Sequence, residues 1–352
     1  MLSKAHYYTL KASYLIRYVL GMMSRSEYKK IKHFLKTIFY PKLKGYSIIG
    51  IGHKKLWYKK NFDSYFTKNK EILHDKYLRL IDGLDDESAK CIQVIISRIM
   101  RYCQSGRGLQ KIRFEATASE IQMLKQTEED LHSRVIRFPS GVTAYKKWLL
   151  PGPEFINLEP GVFYSKHFIE ELDNLRELRS KAIIDVGAYI GDSALVLQDY
   201  TDEKVYAFEP SSRCLEILTE TIKLNNSNKI IPVGLGLGDT TEELIMKRIV
   251  FMNKKNASVK LTTLDEWVKN NKVEVGVIKV DIEGLEQKFL RGAVETIRKY
   301  KPALLISIYH SASDMFEIKP FIEELNLGYK FKIRRAIDGY ILRDTMLICE
   351  VR

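Results

Sequence analysis

Residues 183–193 read IIDVGAYIGDS, and the fold turns on how this stretch is understood. Ile183 and Ile184 are β-branched and apolar, as a buried strand requires, and Asp185 follows them. Gly187 and Gly191 mark a turn, after which a helix begins with Asp192 and Ser193. A strand, a glycine turn and a helix N-terminus together cradle a nucleotide-like ligand. The question is which ligand this turn accepts.

The sequence on either side sets the frame. From Lys181 onward, short β-branched runs alternate with helical ones. Strands are expected at 182–186, 204–208, 229–233, 277–281 and 303–308, and helices at 192–199, 211–224, 264–270, 285–300 and 314–325. This alternation predicts an α/β fold, a mostly parallel doubly wound Rossmann-like sheet with helices on both faces. The last two runs, near 329–334 and 344–350, have no helix between them and predict an antiparallel hairpin at one edge. A ligand then belongs over the carboxyl ends of the strands.

The turn itself narrows the ligand. A dinucleotide fingerprint needs a middle glycine so that the backbone can touch a pyrophosphate. Here Ala188 and Tyr189 stand in that place, and no Gly-Lys-Ser/Thr follows to make a P-loop. A nucleoside without phosphates fits better, and S-adenosylmethionine is one whose ribose and cationic groups favour nearby carboxylates. The strand ends supply such groups. Glu209 closes the second strand in YAFEP, where it can accept hydrogen bonds from ribose hydroxyls. Asp239 follows the third strand in LGLGDTT, in reach of an adenine amine or simply a turn residue. Asp281 and Glu283 follow the fourth in VDIEG, with Glu286 reading as a helix-start acid suited to the dipole. Tyr309 and His310 follow the fifth in ISIYHSAS.

Charge divides the chain differently. Residues 1–150 carry 29 Lys and Arg against 13 Asp and Glu, whereas residues 151–352 carry 28 against 31. Two regions are expected: a basic, mainly helical one over 1–150 and the sheet domain over 151–352. In the first, 69–102 shows helical spacing in two runs broken at Gly83, with Asp85 or Asp86 as a cap. The basic excess suits an anionic partner, such as nucleic acid, a membrane surface or a phosphate-bearing substrate. No apolar run reaches the roughly 18 residues of a membrane span, and no signal-type leader is evident. Cys91, Cys103, Cys214 and Cys349 form no CxxC pair. A cytoplasmic protein is expected, with peripheral contact at the inner membrane face open to the basic region.

Taken together, DVGAYIGD, AFEP, TTLDEWV, IKVDIEGLE with LRGA, and LLISIYHSASDMFEI resemble the FkbM family of S-adenosylmethionine-dependent methyltransferases over roughly residues 160–345. The resemblance implies the seven-stranded class I methyltransferase sheet. It also implies O-methylation of a hydroxyl on a sugar, nucleotide-sugar or glycan acceptor in polysaccharide, lipopolysaccharide or glycolipid synthesis. By motif, Asp185, Gly187, Ala188, Gly191 and Glu209 would bind the cofactor, with Tyr189, Asp192, Ser193 and Asp239 as further cofactor-binding candidates by position. Asp281, Glu283 and His310 would face the methyl group or the acceptor.

Methyl transfer to a sugar hydroxyl profits from a general base. His310, with an ordinary pKa near 6.5, and Asp281 compete for that role. Asp281 with Glu283 could hold a divalent cation, but the sequence shows no third ligand, and no metal is expected. Three rivals stand. A nucleic-acid methyltransferase would carry an Asn/Asp-Pro-Pro-aromatic turn where this chain has VDIEG, so nucleic acid is not the favoured partner. A nicotinamide dehydrogenase lacks its middle glycine. A non-catalytic cofactor-binding scaffold remains open, as does the oligomeric state.

Overall fold

Seven strands form the central sheet of the computed structural model, which describes residues 48–49, 55–104, 114–152, 158–246, 257–338 and 340–351. They are β1 (Ala182–Val186), β2 (Val205–Phe208), β3 (Ile230–Val233), β4 (Val275–Val280), β5 (Ala303–Ser307), β6 (Tyr329–Arg335) and β7 (Thr345–Val351). Their spatial order is β3-β2-β1-β4-β5-β7-β6. The first five run parallel, while β7 pairs antiparallel with both β5 and β6. The expected edge hairpin is present, with β7 inserted between β5 and β6.

Every residue of β1, β4 and β5 is buried, as a parallel strand covered on both faces demands. Chain order reverses between β1 and β4, which opens the crevice where doubly wound sheets hold their ligands. The covering helices of this half are α5 (Asp192–Leu197), α6 (Ser212–Leu224), α7 (Leu264–Asn271), α8 (Glu286–Arg291), α9 (Val294–Tyr300) and α10 (Ala312–Glu324), numbered to follow the four longer helices among the described residues before them and leaving out the single turns Pro160–Phe163 and Leu175–Leu178.

The helix expected over 285–300 is two helices, broken at Gly292. A Cβ there would sit 1.9 Å from the Gly238 carbonyl oxygen, so only glycine lets the two backbones meet. Asp265 of α7 then caps α9 by accepting from the Glu295 and Thr296 amides at 3.0 and 2.7 Å. The LGLGDTT segment, expected as a loop, includes the short strand Gly236–Leu237, which joins Glu242–Met246 and Ala257–Thr262 in a separate three-stranded sheet.

The earlier helices are α1 (Lys55–Lys68), α2 (Leu73–Ile81), α3 (Asp86–Gln104) and α4 (Ala118–Ser133). The Asp85 carboxylate accepts the Ser88 amide at 2.7 Å and caps α3, as the spacing predicts. Phe62, Leu80, Ile92, Ile95 and Ile99 join Phe316, Phe331 and Ile333 in one hydrophobic cluster. Glu120 of α4 accepts from Arg98 at 2.6 and 2.7 Å and pairs with Arg335 of β6, all three buried. Ile49–Arg352 is accordingly one compact unit. The division expected near residue 151 is one of charge, and packing runs across it. Most of the first sixty residues, the start of the basic region expected to be mainly helical, lie outside the described residues. No helix among the described residues is long and apolar enough to cross a membrane.

Candidate active site

The glycine turn after β1 is built on hydrogen bonds that leave its residues little freedom. Gly187 and Gly191 have φ of +81° and +86°. A Cβ on Gly187 would lie 2.0 Å from the Asp281 carbonyl oxygen, so a side chain here would drive the turn off β4. The Gly187 and Ala188 amides both donate to the Phe208 carbonyl at 3.1 and 3.0 Å, which ties the turn to β2. Tyr189, at φ +47°, donates its amide to Glu209 Oε2 at 3.0 Å. Glu209 Oε1 accepts the Ser211 amide at 2.8 Å. Its carboxylate is pinned in orientation, and each oxygen keeps lone-pair capacity for a further donor. Burial pushes its pKa up to about 7 against the pull of those two amides.

Asp185 has a different place from the one expected. It is fully buried, accepts from Ser193 Oγ at 2.6 Å and pairs with Lys279 Nζ at 3.0 Å. Lys279 also donates to the Gly187 carbonyl at 3.0 Å. Asp185 and Ser193 therefore form the floor under the turn. Asp192 accepts the Ser193 amide at 3.0 Å and is buried. Burial, then the neighbouring Glu159 carboxylate, raises its pKa to about 7. Asp239 is held in an ion pair with Arg291 at 3.0 Å, which lowers its pKa.

Across the switch point, Asp281 leaves β4 with its amide bonded to the Val186 carbonyl at 3.0 Å. Its Oδ1 lies 3.3 Å from His310 Nε2, and His310 Nδ1 lies 2.9 Å from Glu286 Oε1. Glu286 also accepts the Ile282 amide at 2.9 Å. The side chains of His310 and Glu286 are 3% and 0% exposed, whereas that of Asp281 is 26% exposed. A ligand can reach Asp281 and not the other two. Burial opposes a charge on His310, but the hydrogen bond and charge of Glu286, then Asp281, outweigh it and raise the pKa to about 9. Near neutral pH His310 is an imidazolium clamped between two carboxylates, which, of the two competing candidates for general base, disfavours His310. Burial pushes the Asp281 carboxyl up against the pull of His310 and Lys279.

Asp281, Glu286 and His310 each bring one ligand atom within 4.8 Å of the others. The carboxylate that joins Asp281 in this group is thus Glu286, where the sequence suggested Glu283, and His310 is the third member the sequence did not supply. Glu283 lies exposed in the turn at φ +58°. The signal for Glu286 was its fixed offset from a turn that must fold back on Ile282. The signal for Lys279 was a lysine inside a run of buried strand residues.

A mostly parallel seven-stranded sheet in this order, with a glycine turn after β1 and carboxylates at the ends of β2 and β4, defines the class I methyltransferase fold. Residues 185–331 match the profile of the methyltransferase FkbM domain. Over that span, which is less than half of the chain, the sequence is similar to FkbM methyltransferase domains.

Among solved structures the chain is similar to the methyltransferase FkbM from Methylobacillus flagellatus KT. The two share 20% identity and a TM-score of 0.51 over 83% of this chain and 62% of that one. This chain therefore spans under two thirds of that protein's length. An rRNA methylase from Streptococcus thermophilus matches 56% of this chain and 100% of its own at 14% identity, with a TM-score of 0.34. M. jannaschii TYW2 in complex with AdoMet matches 61% and 86% at 17% identity, with a TM-score of 0.32. No curated protein sequence matches the chain.

Proposed function

We propose that the protein transfers a methyl group from S-adenosylmethionine to a hydroxyl of a sugar or glycan-type acceptor. The observation that carries this reading is the coincidence of the FkbM domain with one constellation. Glu209 and Asp281 stand at the carboxyl ends of β2 and β4, on either side of the glycine turn that follows β1. The residues present fit the cofactor. Glu209 is aimed by two backbone amides and retains acceptor capacity for ribose hydroxyls. Ala188 and Tyr189 occupy the place where a pyrophosphate would need bare backbone. When bound, S-adenosylmethionine would supply an electrophilic methyl group.

The chain's own residues do the rest. Asp281 is reachable and accepts the proton of the acceptor hydroxyl, a contribution of typically 10²–10⁴ in rate. The His310 imidazolium fixes the direction of that carboxylate and favours its ionised form. Glu286 holds His310 charged. The basic region before residue 60 suits a phosphate-bearing acceptor or the anionic inner face of a membrane, which retention on anionic vesicles would test.

Titration calorimetry with S-adenosylmethionine, S-adenosylhomocysteine and NAD tests the cofactor. Binding of the first two and not of NAD is expected; NAD binding, or no binding of either adenosyl compound, removes the reading. Mass spectrometry of glycans from a strain lacking the protein tests the acceptor, with the loss of one methyl group from a sugar expected.

A further inference from the structure

A small cavity of about 10 Å³ opens beside Asp281, lined by Glu159, Gly161, His167, Ser307 and Asp344 among others. That is room for one water-sized group. Two buried polar atoms at this cavity lack partners among the described residues. One is Nε2 of His167, a residue 5% exposed; the other is Oδ2 of Asp344, 8% exposed. An unpaired polar atom in such a place is costly, and a ligand group that pairs it recovers that cost.

We infer that this cavity is an acceptor subsite, built to hold one hydroxyl or ammonium group next to the hydroxyl that Asp281 serves, and to refuse a phosphate or carboxylate. The inference rests on the methyl-transfer reading above and deepens it.

Size is the first argument: a phosphate does not fit a hole made for one water. Charge is the second. Arg343 pairs directly with Glu159, lies 3.6 Å from Asp338 and 3.8 Å from Asp344. One guanidinium is shared by three carboxylates, so an incoming anion would compete with them for an arginine already engaged. An ammonium would find an open carboxylate oxygen. Burial, then Glu159, drives the Asp344 carboxyl well above its usual range; a bound ammonium would return it to the ionised form. Hydrogen-bond capacity is the third. Burial and then the Lys279 charge keep His167 neutral, and a neutral imidazole can donate to a hydroxyl or accept from one.

The chain also holds His167 in place. Lys166, His167 and Phe168 have φ of +52°, +52° and +59°, three consecutive left-handed residues without a glycine. Each is strained and persists only where surrounding structure imposes it. Gly161 also lines the cavity, and a Cβ there would come within 2.9 Å of Asp344 Oδ2. The absent side chain is what leaves the cavity open.

The acceptor therefore carries two polar groups on neighbouring carbons at its reacting end, and any phosphate it bears lies away from that end. Three two-carbon probes sharing a hydroxyl test this: ethylene glycol, ethanolamine and glycolate. The full chain, loaded with S-adenosylhomocysteine and carrying ¹⁵N-labelled histidines, is titrated with each at equal concentration. His167→Gln assigns the His167 resonance. Ethylene glycol and ethanolamine are expected to shift it and glycolate is not. Gly161→Ala should abolish the shifts by filling the cavity, and Asp344→Asn should weaken ethanolamine about tenfold. A His167 resonance that ignores ethylene glycol and ethanolamine, or answers glycolate equally, overturns the subsite. Calorimetry with S-adenosylhomocysteine on the same sample separates the two readings. Cofactor binding with an unmoved His167 removes only the subsite, whereas absent cofactor binding removes the methyl-transfer reading itself.

Discussion

Lys279 and Asp185 are register partners on adjacent central strands, 3.0 Å apart at Nζ and Oδ1, with side chains 3% and 0% exposed. The same ammonium holds the Gly187 carbonyl at 3.0 Å. One buried cation thus couples β1, β4 and the glycine turn. Breaking such a pair from one side leaves an uncompensated charge in the sheet and costs about 3–5 kcal/mol. Lys279→Met is expected to lower unfolding free energy by about that amount, measured from denaturant midpoints. Adding Asp185→Asn to it should recover much of the loss, because no lone charge then remains.

His310 provides a pH test. Its folded pKa of about 9 lies above the ordinary value of 6.5, so the folded state holds the proton more tightly. The resulting stabilisation, roughly 3 kcal/mol, is fully present below pH 6.5 and disappears as pH rises through 9. Histidine NMR should show one imidazole still charged at pH 8. In Glu286→Gln that titration should move down toward the ordinary value, and the stability decline between pH 6.5 and 9 should flatten.

Much of the sheet could be read from the chain, because strands buried on both faces advertise themselves as apolar β-branched runs. Asp185, Glu209, Asp281 and His310 were placed at strand ends for the same reason. What could not be read were partners made by folding. Nothing local says that Asp185 meets a lysine 94 positions away, or that His310 meets Glu286 as well as Asp281. His310 thus looked like a base when read alone and is a cation in its setting. Glu159 and His167 come from segments outside the strand–turn pattern, and Asp344 opens the expected last strand with no motif around it, so none of the three gave a signal. Charge counting divided the chain near residue 151 because solvent-facing composition changes there, although Phe62 and Phe331 share a core across that point.

Glu209 is expected to make cofactor affinity pH-dependent. With its pKa near 7, the carboxylate that would receive ribose hydroxyls is half protonated at neutral pH. Affinity for S-adenosylhomocysteine should therefore rise between pH 6 and 8 and level off above. Glu209→Gln should lower it roughly tenfold or more and remove that pH dependence, as read by calorimetry.

Gly187→Ala combines two penalties: a side chain at φ +81° and a Cβ 2.0 Å from the Asp281 carbonyl oxygen. A loss of more than about 2 kcal/mol in stability is expected. S-adenosylhomocysteine binding should fail even at temperatures where circular dichroism shows the variant folded.

The left-handed run at 166–168 has a practical side. An engineer seeking a hardier protein would be drawn to it, since glycine there relieves torsional stress and commonly gains about 1 kcal/mol. Yet those residues carry the imidazole that screens what enters beside Asp281. Heat tolerance gained at this point would come with a laxer choice of acceptor, so the same three residues govern both durability and discrimination.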